Sequence, residues 1–227
     1  LLNKHIALWQ SHGYYFESKL NRWEWQRARI FQTVEDLYTQ SYVLPFLVPM
    51  LESAGANVLL PRERDSQTQE VIVDNDKSGQ NSLYKEVSGD EPWTIGIGKG
   101  FALLRDRYIE TENPFSEGTF RQSVTRKKGK ESLVEWIPSI PQAGNYAVYV
   151  SYKSLPESTD DALYTVYHKG GKTQFKVNQQ MGGGTWIYLG NFGFETGNND
   201  ACKVQLSNRS SKNNRIITAD GIKIGGG

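Results

Sequence analysis

Residues 164–194, YTVYHKGGKTQFKVNQQMGGGTWIYLGNFGF, constrain this chain more than any other stretch. Tyr164, Val166 and His168 alternate with Thr165, Tyr167 and Lys169, the period-2 pattern of a strand. Gly170-Gly171 is a two-residue hairpin signal. Phe175 and Val177 then share one face of a returning strand. Gly182-Gly183-Gly184 breaks the chain again, and residues 185–189 (TWIYL) open a third strand. From about residue 70 to the C-terminus the sequence reads as further strands packing around this unit. Residues 70–74 (EVIVD), 119–125 (TFRQSVT), 133–137 (LVEWI), 145–152 (NYAVYVSY), 201–206 (ACKVQL) and 216–224 (IITADGIKI) supply them. Short strands at regular spacing, with Gly and Pro turns between, predict a mainly β protein of β-sandwich or jelly-roll type. Residues 65–69 (DSQTQ) read as a polar linker. In residues 93–100 (WTIGIGKG) the glycines are spaced GxGxG, and no helix with Lys-Ser/Thr follows, so a phosphate loop is rejected.

The first 65 residues follow another pattern. Residues 5–10 (HIALWQ) read as a strand that ends at Ser11-His12-Gly13. Residues 14–32 are dense in aromatics and charge, and Trp23, Trp25 and the arginines suit a loop or a short helix. Leu44, Leu47, Val48 and Leu51 follow helical spacing within residues 39–54. Pro45 suits the first turn, whereas Pro49 is expected to kink the helix. Gly55 signals its end, and residues 56–60 (ANVLL) form a second strand. Strand, helix, strand predicts a small βαβ unit, too small to bury its own sheet. The expected organisation is therefore a partial α/β segment over 1–65 and a β-sandwich over 66–227.

Charge narrows the function classes. The chain has 26 basic and 25 acidic residues, a formal net charge of +1. No basic patch emerges from composition, so nucleic acid is not an expected partner. Residues 126–130 (RKKGK) suit a solvated hairpin tip, with contact to an anionic polymer as the alternative. One cysteine, Cys202, excludes an internal disulfide framework; it is expected to pack as a small apolar residue. No apolar run reaches the roughly 18 residues that a membrane span needs, and no signal peptide is evident. The abrupt start and the terminal glycines suit a fragment of a longer protein.

Two family resemblances sharpen these expectations. WIPSIPQAGNYAVYVSY, the 164–194 stretch, ACKVQLSN and ITADGIKI together resemble the golvesin and xanthan lyase carbohydrate-binding-like domain. The resemblance implies a β-sandwich attached to bacterial secreted or cell-envelope enzymes, with polysaccharide or peptidoglycan as partner. Sugar rings stack on exposed aromatic faces. The aromatic candidates are Trp93, Trp136, Trp186, Tyr149, Tyr152, Tyr167 and Tyr188, and of these Tyr149, Tyr167 and Trp93 are taken as the binding residues. Core packing is the competing role for any buried ring. If Tyr146 faces the core, Tyr149 faces the other side; if Trp186 faces in, so does Tyr188, and Ile187 faces out. His168, Gln179 and Gln180 fit either a polar surface or hydrogen bonds between turns.

The second resemblance lies in residues 5–65. HIALWQSHG, Glu35 and VLPFLVPMLESAGANVLLPRERD are similar to the first half of a zinc-dependent N-acetylmuramoyl-L-alanine amidase. It implies His12 and Glu35 as two zinc ligands. A hydrolytic zinc needs three protein ligands and an open position. The family's third ligand and its catalytic glutamate have no counterpart in this sequence, so zinc is expected only if residues outside it complete the site. Taken alone, this chain is expected to be inactive, and whether its parent is an enzyme stays open. Three functions follow: a carbohydrate-binding or enzyme-accessory module, part of a peptidoglycan amidase, or a structural module with no ligand. His5, inside its strand, is expected to be structural.

Overall fold

The computed structural model describes residues 1–2, 4–27, 31, 34–60, 67–76, 81–105, 108–109 and 111–226. The sequence places its domain junction and an arginine-containing loop at 61–66, outside the described residues. The chain divides into two compact units, Leu1–Arg64 with Ile109–Glu112, and Asp65–Tyr108 with Asn113–Gly227.

In the first unit β1 (His5–Ala7) opens the chain. An antiparallel hairpin follows, β2 (Tyr14–Glu17) and β3 (Arg22–Trp25). This replaces the expected loop or short helix. Phe16 and Trp23 sit opposite each other and meet edge to face at 5.7 Å, so aromatics two apart on each side of Asn21, itself at φ +50°, were a strand signal. Helix α1 (Glu35–Tyr42) then runs through a π-helical segment (Val43–Leu47) into α2 (Val48–Ser53). The helix begins earlier than its apolar spacing suggests, so the roles of the prolines exchange. Pro45 falls mid-helix, where its missing N–H loosens the turn into π geometry. Pro49 sits in the first turn of α2, where an N–H is dispensable. Gly55, at φ +88°, closes α2, and a Cβ there would approach Leu2 Cα to 2.9 Å. Strand β4 (Asn57–Leu59) pairs with β1 in parallel, the expected crossover. Val48, Ala56 and Val58 are buried, with Ile6, Leu8, Val43, Leu51 and Leu60 packed against them.

The second unit is a β-sandwich. Its strands are β5 (Glu70–Val73), β6 (Leu83–Val87), β7 (Thr94–Ile95), β8 (Arg121–Val124), β9 (Leu133–Ile137), β10 (Gly144–Val150), β11 (Ala162–His168), β12 (Gly171–Val177), β13 (Ile187–Phe194), β14 (Lys203–Ser207), β15 (Ile216–Ala219) and β16 (Ile222–Gly225). They form a four-stranded sheet ordered β13-β10-β16-β5, a five-stranded sheet ordered β12-β11-β14-β9-β6, and a three-stranded sheet ordered β15-β8-β7. Alternation sorts the side chains. Tyr146, Val148, Val150, Ile222 and Ile224 are buried on the four-stranded sheet; Val134, Trp136, Tyr164, Val166, Val204 and Leu206 are buried on the five-stranded one. Cys202 is a free, buried thiol. Among the described residues no helix is long and apolar enough to cross a membrane.

Residues 216–224 divide into two strands where the sequence suggests one. The break is Asp220-Gly221, and it lets β15 pair with β8 while β16 pairs with β10 and β5. Both carboxylate oxygens of Asp220 accept the Phe101 N–H, at 3.1 and 2.9 Å. Its carbonyl accepts the Trp136 indole N–H at 2.9 Å. Gln179 makes a second tie. Its fully buried amide donates to Thr218 O at 2.8 Å and to Tyr164 Oη at 3.2 Å, and accepts from Thr218 N at 2.9 Å. It therefore serves the core and lines no polar surface.

Burial pushes the Asp220 carboxyl up to about 8, against the Phe101 N–H that favours its charge; the Asp74 and Asp76 carboxylates add to the rise. An unfolded aspartate titrates near 3.9. Between those values the folded chain holds one proton more than the unfolded chain, so this group's contribution to stability falls as pH rises. Asp220→Asn removes that dependence and keeps an acceptor for Phe101. Wild type should lose at least roughly 1.4 kcal/mol relative to Asp220→Asn between about pH 5 and about pH 7, read from urea midpoints. Parallel pH curves for the two proteins would contradict the protonated state.

Candidate functional site

The five-stranded sheet buries one face and turns the other outward. Cross-strand partners share a face, so the register names the outer row residue by residue. Gln174 is opposite Thr165, Thr165 opposite Gln205, Gln205 opposite Glu135, and Glu135 opposite Lys85. Beside this row, Lys172 is opposite Tyr167 and Tyr167 opposite Lys203. The centre of the face is a connected polar network. Lys203 Nζ lies 2.5 Å from Glu135 Oε1 and 5.4 Å from the Tyr167 ring centroid. Gln205 Nε2 donates to the same Glu135 oxygen at 2.9 Å, and Tyr167 Oη reaches Gln205 Oε1 at 3.5 Å. Gln174 Nε2 donates to Thr165 Oγ1 at 3.4 Å. Lys203 and Glu135 side chains are 14% and 13% exposed, low enough for their pairing to hold geometry. The Tyr167 ring is half-buried, with the Lys203 ammonium over one of its faces. An aromatic face among amide, carboxylate and ammonium groups matches a polyhydroxylated ligand: the ring takes C–H faces, and the polar groups take hydroxyls.

The other two aromatic candidates are elsewhere. Trp93 directly precedes β7 and is 5% exposed; its carbonyl accepts from Arg121, whose guanidinium holds Glu86 at 2.6 and 3.0 Å. Tyr149 is also 5% exposed. It lies on the four-stranded sheet, 5.5 Å from the Tyr188 ring and with Lys223 Nζ 4.7 Å from its own ring centroid. Trp93 borders the three-stranded sheet, Tyr149 lies on the four-stranded one and Tyr167 on the five-stranded one, and of the three only Tyr167 offers a partly open ring. Trp136 is fully buried, and Trp186 packs on Phe101 and Phe115 at 4.8 and 5.3 Å. Trp186 precedes β13, so it does not set that strand's alternation. Ile187 faces in, opposite Val150, and Tyr188 shares the outer side with Tyr149; the orientation expected for those two is reversed. Tyr152 is buried and donates to the carbonyls of Asn178 and Met181.

His168 closes the β11–β12 hairpin. Its Nε2 contacts Thr173 Oγ1 at 3.0 Å, its Nδ1 accepts Gly170 N–H at 3.1 Å, and its ring lies 4.8 Å from Phe192. The turn falls at Lys169-Gly170, one residue before the expected glycine pair, because His168 pairs with Gly171. Gln180 Nε2 donates to Ser158 O at 3.2 Å. Lys127, Lys128 and Lys130 of the basic turn are exposed.

In the first unit His12 Nδ1 contacts Gln26 Oε1 at 3.2 Å, and Arg27 donates to His12 Nε2 at 3.1 Å. Glu35 is exposed in the first turn of α1, where the helix dipole favours a carboxylate. The next residue, Asp36, is fully buried and accepts Ser11 Oγ–H at 2.9 Å. As folded, both nitrogens of His12 are occupied, one by a guanidinium. Among the described residues no group of three His, Cys, Asp or Glu could hold a metal ion. These residues do not by themselves fit a zinc centre.

Comparison with known proteins places the second unit. The golvesin C-terminal domain model matches residues 111–226, just over half the chain. The chain belongs to the golvesin C-terminal domain family. The golvesin-type unit includes Tyr167, Glu135, Lys203, Gln205 and Gln174. A xanthan lyase from Bacillus sp. (strain GL1) is 30% identical over 96 residues, 42% of this chain and 10% of that enzyme. The chain thus spans about a tenth of that relative's length. Among solved structures, isomalto-dextranase of Arthrobacter globiformis T6 complexed with panose aligns at TM-score 0.33 and 17% identity, covering 63% of this chain and 23% of that one. A structure from a study of carbohydrate-binding modules of the β-sandwich superfamily aligns at TM-score 0.27 and 7% identity, covering 74% and 62%. Neither structural likeness bears on function.

Glu135, Lys203, Gln205 and Gln174 escaped the sequence reading, which followed aromatics. Their signal was a charged or amide residue between two core positions, as in Val134-Glu135-Trp136. Removing one partner of a mostly buried pair strands the other's charge, whereas removing both does not. Glu135→Leu should therefore destabilise the sandwich by about 1–2 kcal/mol. Glu135→Leu with Lys203→Leu should recover most of that loss in urea unfolding. A double variant as unstable as the single one would contradict the pairing.

Proposed function

We propose that the golvesin-type unit is a carbohydrate-binding accessory module of a bacterial secreted or cell-envelope protein, and that glycan lies across the outer face of its five-stranded sheet. The observation that carries this is the half-open Tyr167 ring within the Lys203, Glu135 and Gln205 network, with the Gln174–Thr165 pair beside it. A pre-ordered face suits a polymer, because little side-chain freedom remains to be lost on binding. Family membership and the likeness to a xanthan lyase support the same class of partner. In this proposal the module holds substrate or cell wall near a catalytic domain and performs no chemistry itself. Affinity electrophoresis with soluble polysaccharides, together with pull-down on peptidoglycan, tests it. Wild type should be retained by at least one glycan, and Tyr167→Ala should weaken retention by about tenfold or more while the thermal midpoint stays near wild type. Blank results with every glycan would overturn it in favour of a purely structural module.

The parallel β1–β4 pair with its helical crossover favours a second proposal for the first unit: part of a zinc amidase domain acting on peptidoglycan, its ligand set completed by residues outside this sequence. Zinc would then require Arg27 to leave His12 Nε2. The parent protein should bind zinc stoichiometrically and lose it in His12→Ala, by metal analysis after dialysis. Zinc content unaffected by that substitution, or no zinc, would contradict it.

A further inference from the structure

We propose that the glycan taken by this face is polyanionic, carrying carboxylate groups along its length, and that Lys172 and Lys176 on the edge strand β12 select it. This rests on the glycan reading of the same face and adds the chemical class. The centre of the face is electrically closed, because Glu135 already holds Lys203. The margins are not. Lys172 stands opposite Tyr167 and Lys176 opposite Leu163, both on the outer face. Lys85 stands opposite Glu135 on the other edge strand, β6. All three are exposed, and among the described residues none has a carboxylate partner. The other strand residues of the outer face, such as Thr165, Gln174, Gln205, Leu133 and Leu163, are uncharged. Beyond the strands, the exposed Asp200 carboxylate lies 3.8 Å from Lys203; the open charge of the strand residues themselves is positive, and it sits on both flanks of the aromatic and amide centre.

Spacing decides between a small anion and a polymer. Lys172 and Lys176 are four residues apart on one strand, about 13 Å at the rise of a strand. Lys85 is four strand spacings from β12, about 19 Å across the sheet. Side chains that stand away from the sheet keep these ammonium groups apart, so they are not placed to share one small anion. They can each meet a different carboxylate of a chain that crosses the face while its sugar rings contact Tyr167. Exposed ammonium groups act over a Debye length and are screened by salt, so the preference must weaken as ionic strength rises.

The test uses the full chain, with polygalacturonate as the carboxylated probe, dextran as the neutral one and single-stranded DNA as a non-glycan polyanion. Affinity electrophoresis at low and high ionic strength should show polygalacturonate bound more tightly than dextran, with the advantage reduced at high salt. Lys172→Gln with Lys176→Gln should lower affinity for polygalacturonate by about tenfold and leave any dextran affinity unchanged. Circular dichroism melts of the variant should match wild type. Dextran bound as tightly as polygalacturonate would overturn the polyanion preference and leave glycan binding standing. Failure of both glycans would overturn the two together. DNA bound as tightly as polygalacturonate, with the same dependence on the lysines, would overturn it in favour of unselective charge attraction. Unchanged affinity in the lysine variant would assign those residues to protecting the sheet edge and would overturn it as well.

Discussion

The hydrogen bond from the Trp136 indole to the Asp220 carbonyl is the contact on which the sandwich depends. Trp136 lies in the five-stranded sheet. Asp220 links β15 of the three-stranded sheet to β16 of the four-stranded one. One indole N–H therefore ties all three sheets at a buried point. The Asp220 side chain extends the tie to Phe101, and Phe101 carries Trp186 and Phe115. Gln179 repeats the device by joining Tyr164 of one sheet to Thr218 of another. Buried polar groups of this kind are costly when unpaired, so they fix which packing of the sheets is allowed. Fixing the inner face of the five-stranded sheet also fixes the outer one, because side chains alternate with period 2. The position of Tyr167 beside Lys203 follows from the burial of Val166 and Val204.

Much of the fold was legible because strand alternation is a local signal. Residues 133–137, 145–152 and the 164–177 hairpin carry it plainly, and the golvesin-type motifs fall on those strands. The misreadings have physical causes. Strand β6 was missed because Tyr84 and Glu86 face inward together, a pairing that makes sense only when Arg121 supplies the counter-charge. Residues 216–224 looked continuous because nothing local says that Asp220 leaves one sheet for another. Residues 14–25 suit a loop or short helix by their density of aromatics and charge, and only the two-apart spacing of those aromatics points to the hairpin. Pro45 was placed in a first turn because the apolar spacing begins after α1 does.

The site was less legible than the fold. Aromatic residues were the natural candidates for sugar contact, yet most aromatics in a sandwich are core. Trp93 and Tyr149 are buried, and neither sequence position announces it. Tyr167 differs by standing one residue from Val166, on the far side of a strand whose inner face is fully occupied. What surrounds it comes from β9, β12 and β14, brought together by register alone. Likewise Asp36, one residue beyond Glu35, is the carboxylate that meets the loop after β1. A helix start displaced by four residues from the expected position decides which of two adjacent acids turns inward.

The central claim is that the outer face of the five-stranded sheet is a ligand surface. Backbone amide shifts of isotopically labelled protein, followed during titration with a bound polysaccharide, test it most directly. The account predicts that the perturbed amides cluster on the β9, β11, β12 and β14 strands around Tyr167, Gln205 and Gln174. Perturbations confined to the four-stranded sheet around Tyr149, or to the loops at the ends of the sandwich, would contradict it.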